Sequence, residues 1–322
     1  MTAASPRQPP ADGAPTVVYI AGSGRSGSTL LERALGEIPG YVSVGELIDL
    51  FRREASRGRR CGCGRPFADC PFWASVAERA FGGWAGPCPA DLPALQRRVA
   101  KQRYLPRLAA MRLAGHGFRE DTARYGTCYA RLYRAIAAEA GAACVVDASK
   151  WPVQALALAR GGIDVRVIHL VRDVRGVAHS LSRRARRPAA TAVRWVLHQA
   201  EAWLVRRCGL PFTSVRYEDF VRQPRQTVET ALAGLGLSVR LPAPGRLGDG
   251  LMVLGPGHGI HGNPMRFRYG EIPLSHDETW REQMPRRDRI LVTAIGLPFL
   301  LRYRGRRRGG PGAAAPLSAV RR

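Results

Sequence analysis

The chain has 322 residues, and its 50 lysines and arginines against 25 acidic residues give a net charge of +25. Apolar residues make up 45% of the sequence, and the 36 glycines and 24 prolines follow no repeat, which excludes disordered, coiled-coil and collagen-like chains. The seven cysteines are too few and too scattered for a disulfide scaffold. The length fits one large α/β domain or two small ones, and the charge favours a polyanionic ligand, nucleic acid or an anionic membrane surface.

The two ends of the sequence differ from its middle. Residues 1–15 are rich in proline and alanine and lack a hydrophobic stretch, so we predict a disordered N-terminal tail without a signal peptide. The longest apolar run, residues 290–301, is shorter than the ~20 residues that a membrane-spanning helix needs. We therefore predict a cytoplasmic protein. For the basic C-terminal tail at 306–322, a solvated tail and a peripheral contact with an anionic membrane are both open interpretations.

Strand and helix patterns alternate along most of the chain. Residues 17–21 are a continuous apolar run bounded by proline and glycine, which is typical of a buried parallel strand. Further strands are predicted at 41–44, 143–146, Val165–Val171 and Phe212–Arg216, and helices at 28–37, 92–113, 127–140, 153–160, 174–184, 189–207 and 226–235. Pro106 should bend or end the helix predicted at 92–113.

This order of elements predicts the fold class. Alternating strands and helices with apolar strands favour a three-layer α/β/α domain over residues 16–305, built on a central parallel sheet. Residues 52–90 are rich in arginine, glycine, proline and cysteine, and we expect them to form an irregular insertion. In such sheets, ligands bind beyond the carboxyl ends of the strands.

A glycine-rich loop joins the first predicted strand to the first predicted helix. Backbone N–H groups of such a loop and the helix N-terminus form an anion site. In the Walker A pattern a lysine follows the second glycine, whereas here that position is Ser28 and the cation of the loop is Arg25. No predicted strand ends in an acidic residue placed to hold Mg²⁺, so an ATPase or kinase site is disfavoured. The candidate anion-binding residues are Gly24, Arg25, Ser26, Gly27, Ser28 and Thr29.

A second cationic motif follows the predicted strand Val165–Val171. Arg172 comes directly after the strand, and Ser180 lies eight residues later, about two turns into the next helix. Since parallel strands end at one edge of the sheet, both residues should lie at the same edge as the glycine-rich loop, where a guanidinium can bind phosphate with two hydrogen bonds. The alternative, that Arg172 pairs with Asp173 or caps a neighbouring helix, stays open.

Together the two motifs resemble those of the sulfotransferases that use 3′-phosphoadenosine 5′-phosphosulfate (PAPS), in particular the bacterial branch and its carbohydrate-sulfotransferase relatives. The first motif reads GRSGSTL here, with Arg25 at the family's lysine position. Shorter matches are GEL at 45–47, DASK at 147–150, RYEDF at 216–220 and GNPMRF at 262–267. The resemblance spans residues 16–305. It implies a P-loop-containing sulfotransferase fold and transfer of a sulfuryl group from PAPS to a hydroxyl acceptor (a glycan, a lipid or a small metabolite), without a catalytic metal.

The resemblance also implies which residues bind the donor. The glycine-rich loop would hold the 5′-phosphosulfate, and Arg172 with Ser180 would hold the 3′-phosphate. The segment at 262–267 would close over the nucleotide and bring Arg266 near the 3′-phosphate. From its position in the RYEDF match, Tyr217 is a candidate for the adenosine pocket.

Two further residues are candidates for the chemistry itself. Sulfuryl transfer resembles phosphoryl transfer, in which catalysis is mostly positioning and charge stabilisation, and the acceptor hydroxyl must lose a proton. The resemblance places Glu46 near the acceptor as the base; a surface carboxylate paired with an arginine is the alternative. Lys150 is one of only two lysines in the chain, which suggests a specific role in stabilising the leaving oxygen.

Three cysteines lie inside the predicted insertion, within a stretch of ten residues. Cys61, Cys63 and Cys70 are candidate ligands of a structural zinc, with Cys88 as a fourth. Zinc prefers four ligands, but the spacing of Cys61 and Cys63 is tighter than the usual knuckle. Reduced cysteines in a lid-like insertion are therefore the favoured interpretation, and we expect Cys128 in the core.

Two other functions stay open from the sequence alone. A P-loop kinase-like phosphotransferase would require Mg²⁺ and ATP. A basic protein that binds nucleic acid or a membrane surface would also explain the charge. Aromatic residues make up only 7% of the chain, and no recognised nucleic-acid-binding module is present, so we predict no nucleic-acid partner.

Overall fold

The computed structural model describes residues 13–51, 59–183, 187–243, 245–248 and 250–304, so the predicted tail at 306–322 and most of the one at 1–15 lie outside it. The strands are β1 (Thr16–Gly22), β2 (Tyr41–Ser43), β3 (Cys144–Lys150), β4 (Val165–Val171), β5 (Phe212–Arg216), β6 (Leu247–Gly248), β7 (Leu251–Leu254) and β8 (Gly270–Pro273). The helices are α1 (Ser28–Gly36), α2 (Pro71–Phe81), α3 (Pro87–Val99), α4 (Leu105–Ala109), α5 (His116–Ala140), α6 (Pro152–Arg160), α7 (Val174–Ser182), α8 (Pro188–Arg206), α9 (Tyr217–Arg222), α10 (Pro224–Gly234), α11 (Trp280–Gln283) and α12 (Arg286–Arg304).

Five strands form a parallel sheet in the order β2-β3-β1-β4-β5. The central strand β1 is buried along its whole length. Its side chains alternate between the faces: Val17 and Tyr19 pack in a core with α5 and α6, whereas Val18 and Ile20 pack in a core with α1 and α10. Both faces of the sheet are therefore covered by helices, and the predicted three-layer α/β/α fold with a central parallel sheet is confirmed.

The register of the central strands brings three predicted site segments to one edge. Gly22 at the end of β1 pairs with Leu170 of β4, two residues before Arg172, and Ala21 pairs with Lys150 at the end of β3. The glycine-rich loop, Lys150 and Arg172 thus leave the sheet side by side. A smaller antiparallel sheet of β6, β7 and β8 packs against the core on the α1 side.

Two predicted segments differ from the structure. The insertion at 52–90 contains α2 as well as a 3₁₀ turn at Phe67–Asp69, so it is less irregular than expected. The helix predicted at 92–113 is wrong in length, because α3 ends at Val99 and the separate short helix α4 follows. Pro106 lies in the first turn of α4, where its missing N–H group costs nothing.

A disulfide bond between Cys88 and Cys128 joins α3 to α5. Cys128 lies in the core as predicted, but Cys88 is bonded to it and is not available as a fourth zinc ligand, so that expectation is wrong. The two cysteines are 40 residues apart, and no local pattern in the sequence marks them as partners.

The apolar run at 290–301 forms most of α12. This helix packs along α7 and α8 with Val292 and Leu300 buried, while Ile290 and Leu297 are exposed. None of the described helices, α12 included, has both the length and the apolar content that crossing a membrane requires.

Gly126 of α5 lies very close to Gly161, the residue directly after α6, so a methyl group on Gly126 should disturb the packing there. A Cβ on Gly126 would lie 2.1 Å from the carbonyl oxygen of Gly161. We expect Gly126→Ala to lower the free energy of unfolding by about 1–3 kcal/mol, because the backbones must move apart. Gly117→Ala is the matched control, since its Cβ meets nothing within 4 Å. Chemical denaturation compares the two, and equal stabilities would contradict the proposed close contact.

Candidate functional site

The glycine-rich loop between β1 and α1 has a backbone shape that suits an anion. Gly27, directly before α1, has a φ of 90°, and a Cβ there would lie 2.5 Å from the ring of Tyr217. Arg25 also has a positive φ, 70°, which is strained for a residue with a side chain. Ser28 and Thr29 open α1, so their N–H groups have no partner within the helix. The loop therefore ends at the N-terminus of a helix, an arrangement that favours an anion.

The structure brings Arg25, Arg172 and Ser180 together. Nε of Arg25 donates a hydrogen bond to Oγ of Ser180 at 3.0 Å, and Nη1 of Arg172 donates to the backbone oxygen of Arg25 at 3.1 Å. The guanidinium of Arg172 also lies over the ring of Tyr217, 4.6 Å from its centre. The two predicted phosphate motifs thus form one continuous cationic surface.

Arg172 forms its ion pair with a residue that sequence analysis did not single out. Its Nη2 lies 2.8 Å from a carboxylate oxygen of Asp277. Burial raises the pKa of Asp277, but hydrogen bonds from Thr279 and Arg172 outweigh it and lower this pKa to about 2. Asp173, the partner considered from the sequence, instead caps α7 by accepting a hydrogen bond from the N–H of Arg175 at 2.9 Å.

Glu46 and Lys150 form a second ion pair at the same edge of the sheet. The Lys150 ammonium donates a hydrogen bond to Oε1 of Glu46, and both side chains are largely buried. A Cβ on Gly262 would lie 2.8 Å from the same carboxylate oxygen and 3.3 Å from Oγ1 of Thr29. The glycine thus leaves the space in which Glu46 lies next to the glycine-rich loop.

The DASK segment holds this ion pair in position. Asp147 is buried and accepts hydrogen bonds from the hydroxyl of Tyr133 at 2.7 Å and the N–H of Ser149 at 2.9 Å. Oγ of Ser149 accepts from the N–H of Ile48 at 2.9 Å, which ties the end of β3 to the turn after Glu46. Burial raises the pKa of Asp147 to about 6. These bonds fix the two backbone segments that carry the ion pair.

A cavity of about 640 Å³ lies over these groups, within the range of pockets that hold small ligands. The glycine-rich loop, the Glu46–Lys150 ion pair, Arg172 and the segment at 262–265 line it; the residues are Gly24, Arg25, Gly27, Ser28, Thr29, Leu30, Glu46, Lys150, Arg172, Tyr217, Gly262, Asn263, Pro264 and Met265. A smaller cavity of about 190 Å³ lies on the far side of Arg172, between Arg216 and Trp280. Arg172 thus lines both cavities.

Arg266 lies on the Glu46 side of the larger cavity. Its Nη1 donates to the backbone oxygen of Gly262 at 3.2 Å, and its guanidinium lies over the ring of Phe267. Burial and the nearby Arg59 lower the pKa of Arg266, while the charge of Glu46 opposes this. Among the described residues, Arg266 therefore lies next to the 262–265 segment and near Glu46, on the side of Cys61.

Sequence analysis also missed Glu32, a buried carboxyl group of α1. It accepts a hydrogen bond from the N–H of Gly45 at 2.8 Å, directly before Glu46. Burial, together with the charge of Glu46, raises the pKa of Glu32 to about 8, although the hydrogen bond from Gly45 opposes this. Its position four residues after Ser28, on the same face of the helix, is the signal that could have found it.

Comparisons with known proteins support the fold that these elements form. The sulfotransferase domain from the Synechococcus PCC 7002 olefin synthase matches with a TM-score of 0.52 and 20% sequence identity, over 91% of this chain and 98% of that one. This similarity shows that the chain has the α/β fold of a sulfotransferase domain.

Two other solved structures are less similar. The sulfotransferase domain from the curacin biosynthetic pathway matches with a TM-score of 0.46 and 18% identity, over 89% of this chain and 98% of that one. A sulfotransferase from Alicyclobacillus acidocaldarius matches with a TM-score of 0.30 and 15% identity, over 88% and 96% of the two chains. No conclusion about this chain rests on these two. No protein-family model and no curated protein sequence matches the chain.

The raised pKa of Glu32 predicts how stability depends on pH. The folded protein holds this proton up to about pH 8, whereas the unfolded chain releases it near the ordinary value of 4.5. The stability that the proton contributes is therefore complete below pH 4.5 and is lost as the pH rises through about 8. Glu32→Gln keeps a neutral side chain and should flatten this decline.

Thermal unfolding between about pH 5 and 8.5 measures the effect. Glu78→Gln, at an exposed position on α2, is the control and should leave the wild-type pH dependence unchanged. Identical pH slopes for the wild type and Glu32→Gln would show that Glu32 releases its proton at an ordinary pH.

Proposed function

We propose that the protein is a sulfotransferase that transfers a sulfuryl group from PAPS to a hydroxyl acceptor, as the resemblance implies. The observation that carries the proposal is the anion site itself: a glycine-rich loop without the Walker lysine, joined through Arg25 to Arg172 and Ser180. The sulfotransferase-type fold supports it.

The chain's residues fit a donor that carries phosphate at two positions. The loop and the N-terminus of α1 suit the 5′-phosphosulfate, because a helix N-terminus presents N–H groups without helical partners to an anion. The hydroxyl of Ser26 is buried and has no hydrogen-bond partner among the described residues, which leaves a donor in the loop for an anionic oxygen. Arg172 and Ser180, at the other end of the cationic surface, suit the 3′-phosphate.

The ion pair between Lys150 and Glu46 supports a role for each of these two residues. PAPS supplies an activated sulfuryl group: the bond from sulfur to the bridging phosphate oxygen breaks as the acceptor oxygen bonds to sulfur. An ion pair with Lys150 requires Glu46 to be a carboxylate, the form that can accept the acceptor's proton. An anion in the loop competes with Glu46 for Lys150, so donor binding both neutralises charge on the leaving oxygen and frees the base.

Calorimetric titration with 3′-phosphoadenosine 5′-phosphate, ADP and 5′-AMP tests the donor site. We expect the 3′-phosphate compound to bind more tightly than the other two without added metal. Arg172→Ala should weaken its binding by about 10- to 100-fold, because one charged hydrogen-bonding group is lost.

Arg98→Ala is the control for this titration. Arg98 is exposed and pairs with Asp121 on α5, so its loss changes the net charge equally without touching the cavity. No preference for the 3′-phosphate would contradict the sulfotransferase proposal. Tight binding of ADP that requires Mg²⁺ would favour a kinase-like phosphotransferase instead.

A second substitution tests the base. Glu46→Gln should lower kcat for sulfuryl transfer by about 10²- to 10⁴-fold, because the amide cannot accept the proton, while the affinity for 3′-phosphoadenosine 5′-phosphate stays within a few-fold. Radiolabelled donor and an acceptor found by screening hydroxyl compounds give the rate. An unchanged kcat would exclude Glu46 as the base.

A further inference from the structure

Four side chains outside the proposed active site bring their ligating atoms together. Sγ of Cys61, Cys63 and Cys70 and a ring nitrogen of His258 all lie within 4.8 Å of one another. The closest recorded distances are 3.4 Å from Cys70 Sγ to His258 Nδ1, 3.6 Å from Cys61 Sγ to the same nitrogen, and 3.8 Å between the sulfurs of Cys63 and Cys70. Cys61 and Cys70 are buried, and Cys63 and His258 are half-buried.

These three distances match three of the six edges of a zinc tetrahedron. With Zn–S bonds of about 2.3 Å and Zn–N bonds of about 2.0–2.1 Å, ideal tetrahedral geometry separates two sulfurs by ~3.8 Å and a sulfur from a nitrogen by ~3.6 Å. The recorded distances agree with both values to within about 0.2 Å. A disulfide would require the two sulfurs to be about 2.05 Å apart.

We propose that Cys61, Cys63, Cys70 and His258 bind a structural zinc ion. Three thiolates and one imidazole are a ligand set that zinc prefers, and a fourth protein ligand leaves no open position for a substrate. The site is therefore structural. His258, which supplies the fourth ligand, is 188 residues from Cys70, so the zinc joins two distant segments.

Local structure explains how so tight a spacing of cysteines can serve one ion. The chain turns between Cys61 and Arg65, where the N–H of Cys61 donates to the oxygen of Arg65 at 2.8 Å. A Cβ on Gly62 would lie 2.7 Å from the oxygen of Gly257, so only glycine lets this turn approach the segment that carries His258. Cys70 directly precedes α2, so the start of that helix fixes the position of its backbone.

Neighbouring aromatic residues fix the histidine. The ring of Phe72 stacks on that of His258 with their centres 4.4 Å apart and nearly parallel. Nε1 of Trp73 donates to the backbone oxygen of His258 at 2.9 Å. The ligand is thus held in orientation before the metal binds, as expected for residues that surround a metal site.

The proposed zinc also supports one wall of the cavity over the glycine-rich loop. Two residues after His258, Ile260 accepts a hydrogen bond from the N–H of Glu46 at 2.9 Å and donates to the oxygen of Val44 at 3.0 Å. Gly262 then lies against Glu46. The zinc therefore anchors the segment that holds the backbone of Glu46, whatever reaction the cavity carries out.

Elemental analysis of the full chain, purified without chelators or added metal, tests the proposal. We expect about one zinc per chain, falling to below about 0.1 in Cys63→Ser and in His258→Ala, because a lost ligand weakens a structural site strongly. Cys208→Ser is the matched control: Cys208 lies outside the cluster and should leave the zinc content unchanged. A Cys63→Ser or His258→Ala chain with the zinc content of the wild type would overturn the ligand assignment.

Cobalt substitution of the wild-type chain keeps the test independent of how the variants fold. Co²⁺ in a site with three thiolates should give sulfur-to-cobalt charge-transfer absorption and the intense visible bands of tetrahedral coordination. Removing zinc with a chelator should lower the thermal midpoint. A wild-type chain that takes up neither zinc nor cobalt, or whose Cys63 and Cys70 are found disulfide-bonded by mass spectrometry, would refute the proposal. None of these readouts depends on sulfotransferase activity.

Discussion

Two ion pairs, Lys150 with Glu46 and Arg172 with Asp277, make the cationic cavity of this protein possible. Like charges gathered at one edge of a sheet repel one another, and a largely buried cation without a partner is destabilising. The two carboxylates offset both costs and hold each cation in one orientation. They also bear on ligand binding, because an anion placed in the cavity would compete with a carboxylate for its cation.

The parallel sheet brings these groups together with little distortion of the backbone. Since β1, β3 and β4 pair in parallel, the glycine-rich loop, Lys150 and Arg172 leave the sheet at neighbouring positions without any long excursion of the chain. The backbone is nevertheless strained at Arg25 and Lys150, because both adopt positive φ values. Arg25 lies between the buried strand β1 and α1, and Lys150 is the last residue of β3, shortly before α6, so regular structure fixes the neighbours of both.

Much of this could be predicted from the sequence, because the relevant signals are local. The apolar run of β4 is found at its predicted bounds, and the glycine-rich loop is recognisable between a buried strand and a helix. The positions of Arg172 and Ser180 could be predicted because one lies at the end of a strand and the other lies about two turns along the next helix. A local pattern is enough to predict the position of a site residue when the pairing of parallel strands brings the distant segments together.

The parts that could not be predicted depend on distant pairings that leave no local pattern. Asp277 lies 105 residues from Arg172 in the chain, outside any strand or helix, and His258 lies 188 residues from Cys70. The disulfide bond is a third case, because Cys128 lies 40 residues from Cys88. In each case one partner of the pair is noticeable in the sequence and the other looks like an ordinary loop or core residue.

Glu32 shows how the backbone next to the cavity controls its charge. The segment from Val44 to Glu46 is held from one side by Ile260 and from the other by the carboxyl group of Glu32, which accepts the N–H of Gly45. Burial destabilises the charged form of Glu32, and the charge of Glu46 repels it, so the pKa of Glu32 is raised and the group keeps its proton. Because Glu32 stays neutral, it positions Glu46 without adding a second negative charge beside it. The cavity therefore keeps its excess of positive charge, which is what the binding of an anion requires.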